Sequence, residues 1–244
     1  MAAPLALNPE ALRLQPFDPA TAPVPLRLGA SLRRQGARLE IRWSLQGDLA
    51  QLRLPEPTAA PQRRDALWTS TCLECFLALP GDAGYWELNL CPSGHWNLYR
   101  LDGYRQGLRP ELAIQRLPSQ RRPGSRQPSP EPSRAPSRGP RSAAAEAGEE
   151  QELELAIALD LVALLGNDAS AAPLELGVSA VLAATDGAIS YWALVHPGPV
   201  ADFHHRDAFC VRLPGSRLPA AQGQEPVAHR FFMGKSINNA TSPD

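Results

Sequence analysis

At 244 residues, of which 43% are apolar, the chain can bury one sizeable core in a single domain of the larger all-β or α/β size. A formal net charge of -1 excludes a general attraction to nucleic acid or to an anionic membrane surface, so either partner would need a local basic patch. The four cysteines, Cys72, Cys75, Cys91 and Cys210, are too few and too irregularly spaced for a disulfide framework and read as reduced thiols.

In chain order, "MAAPLALNPEALRLQPFDP" has no basic stretch followed by a continuous apolar run, and no apolar run in the chain approaches the roughly 20 residues that span a bilayer. A cytoplasmic location is the expectation, with residues 1–22 as an N-terminal extension. From there the chain reads as β. Alternating or β-rich runs bounded by Gly and Pro occur at "VPLRLGASLRR", "ARLEIRWSLQG", "LAQLRLP", "TCLECFLALP", "YWELNLCP", "HWNLYRLD", "ELAIQRLP", "LELAIALD", "LELGVSAVLAATDG", "ISYWALVHP" and "AFCVRLP". Short strands at this spacing predict an antiparallel sandwich or barrel. One short helix is expected at "DLVALLGN", with Asp160 at its start and Gly166 at its end. Strands do not alternate with long helices and there is no Gly-rich phosphate loop, which argues against a nucleotide-binding α/β fold.

The strand pattern breaks once. Between Arg116 and Arg141 there are seven Arg against the single acid Glu131, and Pro, Ser and Gly fill most of the rest. Such a stretch cannot bury enough apolar surface to offset its ordering entropy, so residues 118–149 are read as a disordered insertion within one domain spanning 23–215, and 216–244 as a tail. A basic arm for an acidic protein partner is the alternative use of the same residues.

The hairpin "YWELNLCPSGHWNLYRLDGYR" carries the chemistry. A three-residue loop at Pro92, Ser93 and Gly94 sets Leu90 opposite Trp96, Leu88 opposite Leu98 and Trp86 opposite Arg100 on one face. The reverse face then pairs Asn89 with Asn97 and Glu87 with Tyr99, with Tyr85, Cys91 and His95 nearby. Alternation in "TSTCLECFLAL" puts Glu74 with Cys72, Phe76 and Ala78, away from Leu73, Cys75 and Leu77. A polar sheet face is ordinarily just solvated. Planar aromatics beside amide and carboxylate groups are also what a sugar requires, since it offers a C–H face to stack and hydroxyls to be paired.

The segments "RDALWTSTCLECFLALPGDAGYWELNLCPSGHWNLYRLDGYRQGL" and "YWALVHPGPVADFHHRDAFCVRL" resemble the bacterial DOMON-like domain proteins, which are related to family 9 carbohydrate-binding modules. The shared pattern runs roughly D-x-L-W-x-x-T-C-x-E-x-F, then Y-x-E-x-N-x-S-P-S-G-x-W-x-x-Y-x-F-x-x-Y-R. The resemblance implies a β-sandwich with a non-catalytic ligand site, which takes sugar in some relatives and haem in others. It places Asp65, Trp68, Glu74, Glu87, Asn89 and the Asp202-Phe203-His204 segment on motif positions. Cys91 replaces the commoner Ser before Pro92, and the Arg/Pro insertion is foreign to the pattern.

The expected ligand-binding set is therefore Trp68, Glu74, Glu87, Asn89, Trp96, Asn97, Tyr99, Asp202 and His204, with a carbohydrate or glycosylated small molecule as partner and no catalytic residue or metal. Trp96 is also a core position by the register above. Three other chemistries are open to these residues. Cys72 and Cys75 point to opposite faces of one strand, which disfavours zinc. Haem would need axial His or Met, and Met233 lies in the tail, leaving His204 or His95. Glu74 and Glu87 could serve a glycoside hydrolase if their carboxyls flank a cleft at the right separation.

Overall fold

The computed structural model describes residues 12–22, 25–123 and 151–216. Among the described residues, twelve antiparallel strands form one curled sheet that folds over into a sandwich. The first layer holds β2 (Leu26–Gln35), β3 (Arg38–Gly47), β9 (Gln151–Asp160) and β8 (Ser119–Pro123). The second runs β7 (Arg109–Pro110), β6 (Trp96–Leu101), β5 (Tyr85–Leu90), β4 (Cys72–Ala78), β10 (Leu174–Ala183) and β11 (Ile189–Ala193), with β12 (Val211–Leu213) added to the start of β10. The seam between them is β1 (Leu12–Pro16): Leu12 to Leu14 pair with β2, whereas Gln15 and Pro16 pair with β11.

Alternation explains the layers. In the first layer Leu28, Ala30 and Leu32 of β2, Leu39, Ile41, Trp43 and Leu45 of β3, and Leu153, Leu155, Ile157 and Leu159 of β9 all turn inward. Facing them are Leu73, Cys75 and Leu77 of β4, Leu88 and Leu90 of β5, Trp96 and Leu98 of β6, and alternate residues of β10 from Leu174 to Leu182. The outward face of the first layer is polar, with Gln46 donating to Glu152 at 2.8 Å. The outward face of the second layer is covered by loops.

The short helix α1 spans Val162–Leu165. Asp160 Oδ1 accepts from the Val162 amide at 2.9 Å, and Gly166 ends the helix with φ 60. Two expected strands are not strands. At "LAQLRLP" the chain closes a 3-10 turn over Leu49–Gln51, because Asp48 Oδ1 accepts from the Ala50 amide and caps it. At "ELAIQRLP" the buried residues are Ile114 and Leu117, three apart, so this segment plugs the sandwich edge as irregular chain rather than pairing with period two. The sheet also takes in two stretches read as lying outside it. One is Leu12–Pro16, within the 1–22 extension; the other is Ser119–Pro123, within the 118–149 insertion, which pairs with Leu153 to Ile157. Residues 124–150 and 217–244, and with them the basic-arm reading and Met233, lie outside the described residues.

Candidate functional site

The β5–β6 hairpin folds in the expected register: Leu90 with Trp96, Asn89 with Asn97, Leu88 with Leu98, Glu87 with Tyr99 and Trp86 with Arg100. Gly94, at φ 95, makes the turn, with Cys91 and His95 joined across its base at 2.8 Å. Two rows of side chains cross the outer face of the second layer. The first is Ser179, Glu74, Asn89 and Asn97; the second is Gly177, Phe76, Glu87 and Tyr99. Gly177 lets another segment approach, since a Cβ there would meet Ala208 O and Phe209 Cδ1, each at 3.1 Å.

This face is buried rather than solvated. Glu74 is 3% and Glu87 5% exposed, and Asn89 and Asn97 are fully enclosed. The cover comes from three loops, which leave a cavity of ≈ 460 Å³ floored by Glu74, Glu87 and Val181 and walled by Trp68, Leu101, Arg105, Leu108, Tyr191, Phe203 and His204. Trp68 sits in a 3-10 turn over Leu67–Thr69 and meets Tyr99 edge-on at 5.7 Å. Asp65 ties that loop down by accepting from Tyr99 Oη and Asn97 Nδ2, each at 2.9 Å. Tyr191 and Phe203 meet edge-on at 6.2 Å.

A polar network fixes the wall opposite the carboxylates. Asp202 accepts from Tyr104 Oη at 2.6 Å, Arg105 Nη2 at 2.9 Å and the His204 amide at 3.1 Å. Burial alone would raise the Asp202 carboxyl, but those hydrogen bonds and the Arg105 charge hold it below its ordinary value. Arg105 has a left-handed backbone, φ 53, which costs a non-glycine residue about 1–3 kcal/mol and persists only where surroundings enforce it. Its amide donates to Tyr85 Oη at 3.2 Å and its guanidinium is held by Asp202. Tyr85 Oη also lies 2.8 Å from His204 Nδ1. Since Tyr85 already accepts from Arg105, its own proton is free to go to Nδ1, which leaves Nε2–H of a neutral imidazole turned to Glu87 Oε2, 3.8 Å away.

The ionisation states follow from burial. Desolvation, then the neighbouring Glu87, push the Glu74 carboxyl up to about 8, against a weak opposing hydrogen bond from Ser179. Desolvation raises Glu87 as well, while Asn89 Nδ2, donating to Oε1 at 2.8 Å, and the Arg105 charge pull it back. Burial and then Arg105 depress His204 to about 4. At neutral pH Glu74 therefore keeps its proton and His204 is a neutral imidazole, beside a Glu87 carboxyl that burial has also raised.

Of the expected site residues, Trp68, Glu74, Glu87 and His204 line the cavity. Asn89, Tyr99 and Asp202 stand behind them as supports, and Asn97 anchors the 63–65 loop by accepting from Arg63 at 2.6 Å and donating to Arg64 O and Asp65. Trp96 stands on the opposite sheet face, buried in the core with the Arg63 guanidinium over its ring at 4.4 Å, so it does not reach the cavity. Cys72 shares the outer face, its thiol 3.5 Å from Asn89 Oδ1, while Cys75 is in the core. Haem does not fit: among the described residues His204 is the one imidazole lining the cavity, its Nδ1 is held by Tyr85, and its Nε2 faces a buried carboxylate.

Arg105, Tyr191 and Phe203 are not among the expected site residues, although Arg105 falls on the closing Tyr-Arg of the family pattern. Phe203 is the middle residue of the Asp202-Phe203-His204 segment that falls on motif positions. Tyr191 could have been found by alternation with the core residue Trp192 once β11 was paired with β10.

No family model matches the chain, and no curated protein matches it. Among solved structures it is similar to a candidate carbohydrate-binding protein from Bacteroides uniformis, at 14% identity and a TM-score of 0.50, with 85% of this chain and 88% of that one covered. At that identity the likeness is one of fold.

Proposed function

We propose that the cavity is the ligand site of a non-catalytic module that binds a carbohydrate or a glycosylated small molecule. The observation that carries this reading is that two buried carboxyls, Glu74 and Glu87, with Asn89 supporting Glu87 from behind, lie at the bottom of an open cavity instead of being sealed in the core. Acceptors and donors held rigid by a sheet, next to the rings of Trp68, Tyr191 and Phe203, match a ligand with hydroxyls on its edge and C–H groups on its face. The fold shared with the Bacteroides uniformis protein supports the same reading at the level of architecture. So does the resemblance of the segments from about Arg63 to Leu108 and Ser190 to Leu213 to the DOMON-like proteins, which are related to family 9 carbohydrate-binding modules.

The test is a glycan array followed by calorimetric titration of the best binder. Glu87→Gln, which keeps the shape and loses the charge, is expected to weaken binding roughly tenfold or more while the protein stays folded. A second measurement uses chromogenic glycosides. Aglycone release that depends on both Glu74 and Glu87 would replace this reading with a hydrolase; binding without release upholds it.

A further inference from the structure

We infer that the ligand of this cavity carries a protonated amine, an amino sugar in preference to its neutral counterpart. The inference rests on the carbohydrate reading and adds the sign of the ligand's charge. Glu74 pairs with Asn89 across the β4–β5 ladder, and Glu87 lies two residues before Asn89, so the two carboxylates are diagonal neighbours on one floor. Neither is held by a cation. The Glu74 carboxyl has Ser179 Oγ on Oε2 at 3.3 Å, and Oε1 takes no hydrogen bond from a described residue. Glu87 Oε1 is occupied by Asn89, and Oε2 has only the ring nitrogen of His204 at 3.8 Å. Arg105, the one guanidinium lining the cavity among the described residues, is engaged by Asp202.

Three carboxyl groups, Glu74, Glu87 and Asp202, thus share one arginine, next to a neutral histidine. Two adjacent buried carboxyls without a counter-ion are costly unless one keeps a proton or a cation is brought in. The protein by itself takes the first course, with the proton on Glu74. An ammonium group supplies the second: it offers three donors to the two oxygens left unpaired, and the rings of Trp68, Tyr191 and Phe203 suit both a cation and the C–H face that carries it. A neutral hydroxyl can bond the protonated Glu74, yet it brings no positive charge to a floor whose one arginine is already engaged by Asp202. Binding the ammonium transfers the Glu74 proton to solvent.

The experiment is calorimetric titration at mildly acidic pH with glucosamine, galactosamine and mannosamine, each beside its neutral and its N-acetylated counterpart, with putrescine as an amine that is not a sugar. One amino sugar is expected to bind roughly tenfold or more tighter than both counterparts. The heats should differ between buffers of unlike ionisation enthalpy, which shows proton release, and Glu74→Gln should abolish the release and reduce the preference. Proton release by the parent protein is read without any variant. A neutral sugar that binds as tightly as its amino form overturns this inference and leaves the carbohydrate reading standing. Putrescine bound with proton release while no sugar binds upholds the amine and overturns the sugar. No binding by any probe overturns both.

Discussion

Glu74 is a carboxyl whose proton is worth more to the folded chain than to the unfolded one. In the unfolded chain it ionises near the ordinary 4.5, and in the folded protein at about 8. Between those values the folded state holds a proton that the unfolded state has lost, so stability falls as pH rises through that window. His204 slopes the other way: its value drops from 6.5 to about 4, so its contribution is present above 6.5 and is lost as pH falls through 4. Glu74→Gln removes the first slope and leaves the second. Chemical denaturation is expected to show this variant gaining on the parent between about pH 5 and pH 8, by a few kcal/mol. A difference that does not change with pH would mean that Glu74 ionises normally. The face occupied by Glu74 was legible from alternation with Leu73 and Cys75, because a strand's period leaves only two choices. Its burial was not, because the cover comes from Arg105, Tyr191 and Phe203, brought over it by ladders between segments far apart in sequence.

At the scale of the element, β5 has a working face and a structural face, and adjacent residues divide them. Leu88→Ala opens a hole in the core and is expected to cost about 2–5 kcal/mol in a urea melt, with the cavity floor intact. Asn89→Ala is a different loss. As a residue of a solvated sheet face it would cost little, but it is fully buried and donates to Glu87 Oε1, so removing it strips a buried carboxylate of a donor and costs about 1–3 kcal/mol. The hairpin register was readable residue by residue because Pro92, Ser93 and Gly94 fix the loop and the apolar face fixes the phase. "LAQLRLP" and "ELAIQRLP" misled because leucines spaced by two or three fit a plug or a turn as well as a strand. Gly177 offers a test of the cover alone. A valine there collides with Ala208 and Phe209, so Gly177→Val should lift the segment bearing Phe203 and His204. Ligand affinity is expected to fall while the far-ultraviolet circular dichroism of the sheet persists.

For the molecule as a whole, the long sequence between β8 and β9 joins two strands that are already neighbours, since Pro123 pairs with Leu153. A connection of a few Gly and Ser residues in place of 124–150 can span that gap as a hairpin turn. The melting temperature is expected to stay within a few degrees, because loop-closure entropy changes only slowly with length. A large drop would show that the replaced residues pack on the sandwich. The strand at the seam sets a different clock. Leu12 to Leu14 can meet β2 as soon as the next hairpin arm exists, but Gln15 and Pro16 find their partners only in Trp192 and Ala193, near the far end of the described chain. During synthesis the first strand must therefore wait, half paired, until almost the whole domain has left the ribosome. The two layers lock by one of the most non-local contacts in the fold, which makes closure of the seam a late and slow step in refolding from denaturant.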